Sequence, residues 1–195
     1  AFAARLSELV RSATRCFEGF NHAQSLQETE SFFWSRYTDA YLELVKARAR
    51  DESAEGAAGR GSAIATLRLG LSVLLRLFAP FLPYVTEEVW SWWREGSIHR
   101  ASWPSWEELD AAAGADAEVY DVAAQVLTAV RKEKALAKVS LRAPVERVRV
   151  RDSEARIGKL RLVRDDLVQA GNIDDLGLAG DGDVGIDVVL GPVDA

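Results

Sequence analysis

A chain of 195 residues with 48% hydrophobic side chains and six tryptophans can fold on its own core as one sizeable domain, or one with a small appendage, burying roughly 70% of the surface its unfolded state exposes. Its single cysteine, Cys16, excludes an internal disulfide and suits a reducing, cytoplasmic setting, and no signal peptide or stop-transfer segment is visible. The net charge of −6 conceals a separation: residues 131–164 carry twelve Lys or Arg against four Asp or Glu, whereas 165–195 carry eight Asp and no basic residue.

Residues 3–18 read as a first helix, with Leu6, Leu9, Val10 and Phe17 near one face and Arg11 and Arg15 near another. Gly19 ends it. Asn21 can cap a longer helix running to about Arg50, some 45 Å if unbroken. Its expected stripe is Leu26, Phe33, Tyr37 and Leu44, widened by Trp34, Tyr41 and Val45. Asp51–Gly61 reads as a loop and Ser62 as the cap of a central helix.

That helix is apolar on nearly every side, with Leu67, Leu71, Leu74 and Phe78 at spacings of four, three and four. Such a segment belongs in a multi-helix core or a membrane. Arg68 and Arg76 interrupt it and Pro80 and Pro83 follow, which favours the core. Leu67, Leu71, Leu74, Phe78 and Trp34 are its expected members. A short helix resumes at Tyr84–Trp93, where the WSWW run cannot turn three tryptophans the same way. Residues 94–117 form an irregular crossing in which Ser105 and Glu108 have capping-box spacing.

A further helix is expected over Glu118–Ala137, with Val119, Val122, Val126 and Val130 inward. Beyond Pro144 the period changes to two. Val148 and Val150 alternate with arginines, a helix spans about Glu154–Gln169, Val184–Leu190 alternates again, and Ile173–Leu178 suggests a short third strand. The chain is therefore mainly α: a helical bundle over 1–140 followed by a small α+β subdomain over 141–195.

Catalytic chemistry is sparse. His22 and His99 stand outside any HExxH pattern, Cys16 has no CxxC partner, and neither a Gly-rich nucleotide loop nor a nucleophile elbow occurs. Glu87 and Glu88 are adjacent on a helix and point apart, suiting the start of a helix better than a shared site. Asp181-Gly182-Asp183 reads as a turn between strands, since the other ligands of a calcium loop are missing. No metal or cofactor is expected in the segment, and catalysis is not expected of it. Because the chain opens Ala1-Phe2-Ala3 and has no methionine, it is expected to be a piece of a longer polypeptide.

A binding surface is the better expectation. Arg36, Tyr37, Lys46, Arg48 and Arg50 combine cations with an aromatic, which can neutralise phosphates and stack on an unpaired base. The same residues also describe a solvated helix end beside Glu43, Asp51 and Glu52. Arg131-Lys132-Glu133-Lys134, with Lys138 and Arg142, offers a second basic surface, either a field for phosphates or the partner of the acidic tail.

Three stretches, FFWSRYTDAYLELVKARAR at 32–50, LRLFAPFLPYVTEEVWSWW at 75–93 and SIHRASWP at 97–104, resemble the C-terminal anticodon-binding region of class I aminoacyl-tRNA synthetases, most closely the valine-specific branch. The likeness covers about residues 3–150. Ala79 and Thr38 depart from common valine-branch residues, and no heptad pattern marks a terminal coiled-coil arm, so the chain reads as a divergent subtype. The resemblance implies binding of the tRNA(Val) anticodon stem-loop and a monomer whose upstream domains use ATP to activate valine. Competing readings are a helical protein-interaction domain and the equivalent region of an isoleucyl- or leucyl-tRNA synthetase. On the resemblance and the residue types together, Arg36 and Lys46 are expected on phosphates and Phe20, Tyr37 and Trp90 as stacking or pocket-forming residues. Asn21 is expected on a base edge or as a helix cap.

Overall fold

A computed structural model describes residues 1–112, 116–180 and 182–192. Two compact units emerge, residues 1–39 with 61–117 and residues 40–60 with 118–195. Compactness thus groups helix 118–136 with the terminal sheet.

The elements run α1 (Phe2–Glu18), α2 (His22–Ser31), a π-helical stretch (Phe32–Leu42), α3 (Glu43–Ala49), α4 (Ala57–Phe78), α5 (Pro83–Ser91) and two 3-10 turns (Ile98–Arg100 and Glu107–Ala112). They continue α6 (Glu118–Leu136), β1 (Val145–Arg151), α7 (Glu154–Arg161), α8 (Arg164–Gly171), β2 (Ile173–Ala179) and β3 (Gly185–Leu190). The fold is mainly helical with one small sheet, as the periodicities indicated.

In the first unit α1 presents Leu6, Leu9, Val10 and Ala13 to the core, and α4 contributes Val73, Leu74, Leu75 and Leu77. Phe2 meets Phe32 and Tyr37 with ring centroids 5.7 and 5.9 Å apart. The π-helical stretch explains the one clear error about this core. With hydrogen bonds closing over five residues in place of four, Phe32 and Tyr37 fall on the same side. Trp34, placed inside by an α-helical period, is turned out and left 57% exposed. Ser35 and Thr38 hydroxyls donate to the carbonyls of Ser31 and Trp34, the back-bonding that bends helices.

Leu74 is fully buried, while Leu67, Leu71 and Phe78 are half-buried at the edge. By length and composition α4 is apolar enough to cross a membrane. The arginine in its last turn is nevertheless accommodated within the unit. Arg76 donates to the Ser72 carbonyl and to Glu108 Oε2 at 2.8 Å, while Glu108 Oε1 accepts from the Ser105 amide at 2.7 Å. The capping-box carboxylate thereby ties the crossing segment to α4. Glu87, in the second turn of α5, accepts from the Ser97 hydroxyl and the Ile98 amide, both at 2.9 Å. Leu75, Ala79, Trp90 and Ile98 close this end as one apolar cluster.

Helix α4 also begins earlier than expected. Ala57, Ala58, Ala63 and Ala65 favour helix strongly enough to carry Gly59 and Gly61, so Ser62 is helical and caps nothing. Further along, Gly70 matters for space: a Cβ there would lie 2.7 Å from Tyr37 Cε2. Gly70→Ala is expected to destabilise the first unit by about 1–2 kcal/mol despite the better helix propensity. Urea unfolding followed by tryptophan fluorescence checks this, and a gain in stability would refute it.

In the second unit the sheet order is β2-β1-β3, with β1 parallel to β2 and antiparallel to β3. Val145, Val148 and Val150 face inward. Glu146 is an extra residue opposite β3, where Val145 pairs with Leu190 and Arg147 with Val189, and this bulge is why Val145 points inward out of strict alternation. The connection between β1 and β2 was expected as one helix and is two, broken at Leu162 and Val163. No glycine or proline marks that break. Ile157, Leu160 and Leu167 cover the sheet, and Val122, Val126 and Val130 of α6 are buried in the same unit. Gly182 has φ +82, as a turn requires; Asp181 of the expected turn lies outside the described residues.

Candidate nucleic-acid interface

The α1–α2 corner is built from three consecutive residues. Gly19 closes α1, Phe20 takes φ +58, and Asn21 caps α2 by accepting from the Gln24 amide at 3.3 Å. Its amide group also donates to Gln24 Oε1 at 2.8 Å. Asn21 therefore performs the capping role, one of the two expected of it. A left-handed backbone is strained for a bulky side chain. Phe20 nevertheless holds it with its ring 85% exposed, so nothing inside the unit requires the ring.

Phe17, one turn earlier, anchors this corner. Its ring lies 4.6 Å from His22, 5.9 Å from Phe81 and 5.0 Å from Trp103 between centroids. The Trp103 indole N–H donates to Thr14 Oγ1 at 2.9 Å. Phe81 brings the α4–α5 turn to the same end, and with it exposed Tyr84 and the Pro83 carbonyl, 3.1 Å from His99 Nε2. A carbonyl only accepts, so that nitrogen carries the hydrogen. The result is an end of the helical unit displaying Phe20, His22, Tyr84, His99 and Arg100 to solvent. Aromatic faces and cationic or donor groups at one place are what unpaired bases and a phosphate backbone require.

The other candidates are distributed differently. Arg36 is exposed on the rim of a groove of about 440 Å³ between α1 and α2, shared with Arg5, Glu8, Ser12, Glu28 and Ser35. Arg5 is held by Glu8 at 2.7 Å. The groove therefore mixes both signs of charge.

Tyr37 and Trp90 are buried and unavailable for stacking on a base. The Tyr37 hydroxyl donates to the Leu67 carbonyl at 2.8 Å, and no acceptor among the described residues reaches the Trp90 indole N–H. Of the neighbouring tryptophans, Trp92 is the exposed one. Arg94 stacks over both Trp90 and Trp93.

In the second unit cations are largely engaged. Lys46 lies 2.6 Å from Glu43, which is also 3.6 Å from Arg131. Arg48 meets Asp166 at 2.9 Å; burial raises that carboxyl's pKa, with Arg48 opposing. Arg149 reaches diagonally to Asp175, the register partner of Arg147, at 2.5 Å, and Arg151 meets Asp183 and Asp187. The Arg149 guanidinium holds the Asp175 carboxyl below its ordinary range. Arg156 binds Asp152 and Glu118, and Lys159 binds Glu118. Of the two possibilities for the separated charges, pairing between the basic and acidic stretches accounts for Arg149 and Arg151, while Arg147 meets its neighbour Glu146. Lys134 is corrected outright: it is 1% exposed and donates to the Leu141 and Gly171 carbonyls at 3.0 and 2.8 Å, out of reach of any phosphate.

The sequence pointed to Phe20 and Arg36, both exposed, but gave His22, Tyr84 and His99 no place among the binding residues. Their spacing of 62 and 15 residues carries no local signal, because the packing of Phe17 against Phe81 brings them together. Among the described residues no group of three or more His, Cys, Asp or Glu is arranged to hold a metal ion.

Comparison with known proteins gives this surface its context. The family model described as the anticodon-binding domain of tRNA ligase matches residues 1–150. A valine-tRNA ligase of Thermobifida fusca is 51% identical over 193 residues, covering 97% of this chain and 21% of the relative. Valine-tRNA ligases of Cutibacterium acnes and Salinispora arenicola are 43% and 44% identical, over 92% and 90% of the chain and 20% and 22% of their own lengths. The chain belongs to the family of anticodon-binding domains of tRNA ligases. It spans about a fifth of the length of these relatives.

Proposed function

We propose that the chain is the C-terminal anticodon-binding region of a valine-tRNA ligase, holding the anticodon stem and loop of tRNA(Val). ATP-dependent activation of valine and its transfer to the tRNA then belong to the upstream domains of the same polypeptide, acting as a cytoplasmic monomer. The observation that carries this reading is the 51% identity to a valine-tRNA ligase along 97% of the chain. The exposed aromatic end of the helical unit is the physical means. Phe20 and Tyr84 offer ring faces to unstacked bases, and Arg100 and Arg36 offer charge to the backbone. The contribution to the reaction is positional, since transfer needs the distant acceptor end correctly placed.

Arg36→Ala tests the phosphate role. In the complete polypeptide it is expected to weaken tRNA(Val) binding several-fold and to reduce the salt dependence by about one phosphate contact. The melting temperature should change little, because substitutions of exposed side chains are usually within about 0.5 kcal/mol. Affinity unchanged across a salt series removes Arg36 from the interface.

A further inference from the structure

Helix α5 carries more apolar surface than its unit covers. Its inner side, Thr86 and Trp90, is buried, with Val89 and Trp93 packed partly against the cluster of Leu75, Ala79 and Ile98. Beside that side runs a second row, Leu82 at the N-cap, Val85, Val89 and Trp92, at spacings of three, four and three. Val85 is 54% and Trp92 69% exposed, and the Trp92 indole N–H is fixed by Glu88 Oε1 at 3.1 Å. Of the six large apolar side chains exposed among the described residues of this unit, three, Leu82, Val85 and Trp92, belong to this row.

We propose that this row is the seat of a helix contributed by the part of the same polypeptide N-terminal to Ala1, an inference resting on the reading of the chain as one region of a longer ligase. The three-four-three spacing is that of a helix-helix seam, in which side chains of one helix enter the gaps of another. The row is continuous with the Trp90 cluster, so an added helix extends an existing core.

Size identifies the occupant further. The exposed row amounts to a few hundred Å², the range of a functional patch on a monomer. It falls well short of the roughly 800 Å² per partner of a stable complex between separate molecules. A tethered segment arrives at high effective concentration and associates through a smaller contact. The chain spans 21% of the length of its Thermobifida fusca relative, which leaves ample polypeptide to supply one helix.

The test is thiol accessibility. In a Cys16→Ala background, Val85→Cys is placed in the 195-residue chain and in the complete polypeptide, and its reaction rate with a maleimide is measured without tRNA. Ser91→Cys, exposed on another side of α5, is the control. Labelling of position 85 is expected to be at least tenfold slower in the complete polypeptide, with position 91 much less affected. Equal rates at position 85 overturn the proposal. So does protection that arises only on adding tRNA, which assigns the row to RNA, or protection in the 195-residue chain that grows with its concentration, which assigns it to a second copy. Binding of tRNA(Val) by the same proteins is scored separately. Its loss with protection intact counts against the anticodon reading alone, and the converse counts against the docked helix alone.

Discussion

Lys134→Ala should destabilise the second unit by about 3 kcal/mol, because the substitution removes buried methylenes and strands the buried Gly171 carbonyl and the part-buried carbonyl of Leu141. Relief of a buried charge offsets only part of that loss. All six tryptophans lie in the first unit, so fluorescence will not report the change. Far-UV circular dichroism in urea, with hydrogen exchange of the β1 amides, will. A change under about 1 kcal/mol would show that neighbouring groups or water replace the ammonium without difficulty.

The same residue predicts a pH dependence. Burial lowers the Lys134 pKa from its ordinary 10.5, with the nearby Arg131 charge adding to the effect. Between the lowered value and 10.5 the unfolded chain therefore holds more protons than the folded one, and stability rises with pH across that window. Below the window both states carry the charge and the burial penalty is present in full. Against a Lys134→Met variant, which has no titrating group, wild-type stability should gain as the pH climbs toward 10.5. A relative loss over the same interval would mean that the two carbonyls stabilise the ammonium more than burial penalises it.

Phe20→Gly should separate stability from binding. Glycine adopts φ +58 without the steric penalty of a bulky side chain, so the helical unit should gain up to about 1 kcal/mol. Stacking of a base on an aromatic ring contributes about 1–3 kcal/mol, so tRNA affinity should fall about tenfold or more. Phe20→Tyr keeps the ring face and should keep most of the affinity. Unchanged binding by Phe20→Gly would leave the strained corner without an explanation in RNA recognition.

How much of this was legible in the sequence depended on period. Helices α1 and α6 and strands β1 and β3 lie close to where apolar spacing put them. The π-helical stretch was hidden because Phe33, Trp34 and Tyr37 fit an ordinary helical stripe; only closure over five residues buries Phe32 with Tyr37 and turns Trp34 out. The break at Leu162 and Val163 leaves no composition signal. The two-residue connector keeps Ile157, Leu160 and Leu167 at spacings that a single helix would also satisfy.

Within the candidate site, the exposure of Phe20 follows from its place between a helix-ending glycine and a helix-capping asparagine. Tyr37 and Trp90 were ambiguous because an aromatic at helical spacing fits a core as well as a surface. The strand arginines were undecidable for a different reason: Arg149 and Arg151 are neutralised across strands, Arg149 by Asp175, whose register partner is Arg147, and Arg151 by Asp187, whose register partner is Arg149. His22 adjoins Phe20 along the chain, whereas Tyr84 and His99 join it through tertiary packing alone.

The central claim is that this chain holds the anticodon loop. A photoreactive nucleotide placed in the anticodon loop of tRNA(Val) and crosslinked to the complete polypeptide tests it most directly, with the attachment sites mapped by mass spectrometry. Crosslinks should fall within residues 1–150, concentrated near Phe20 and the α4–α5 turn. Crosslinks confined to regions of the polypeptide outside residues 1–195 would contradict it.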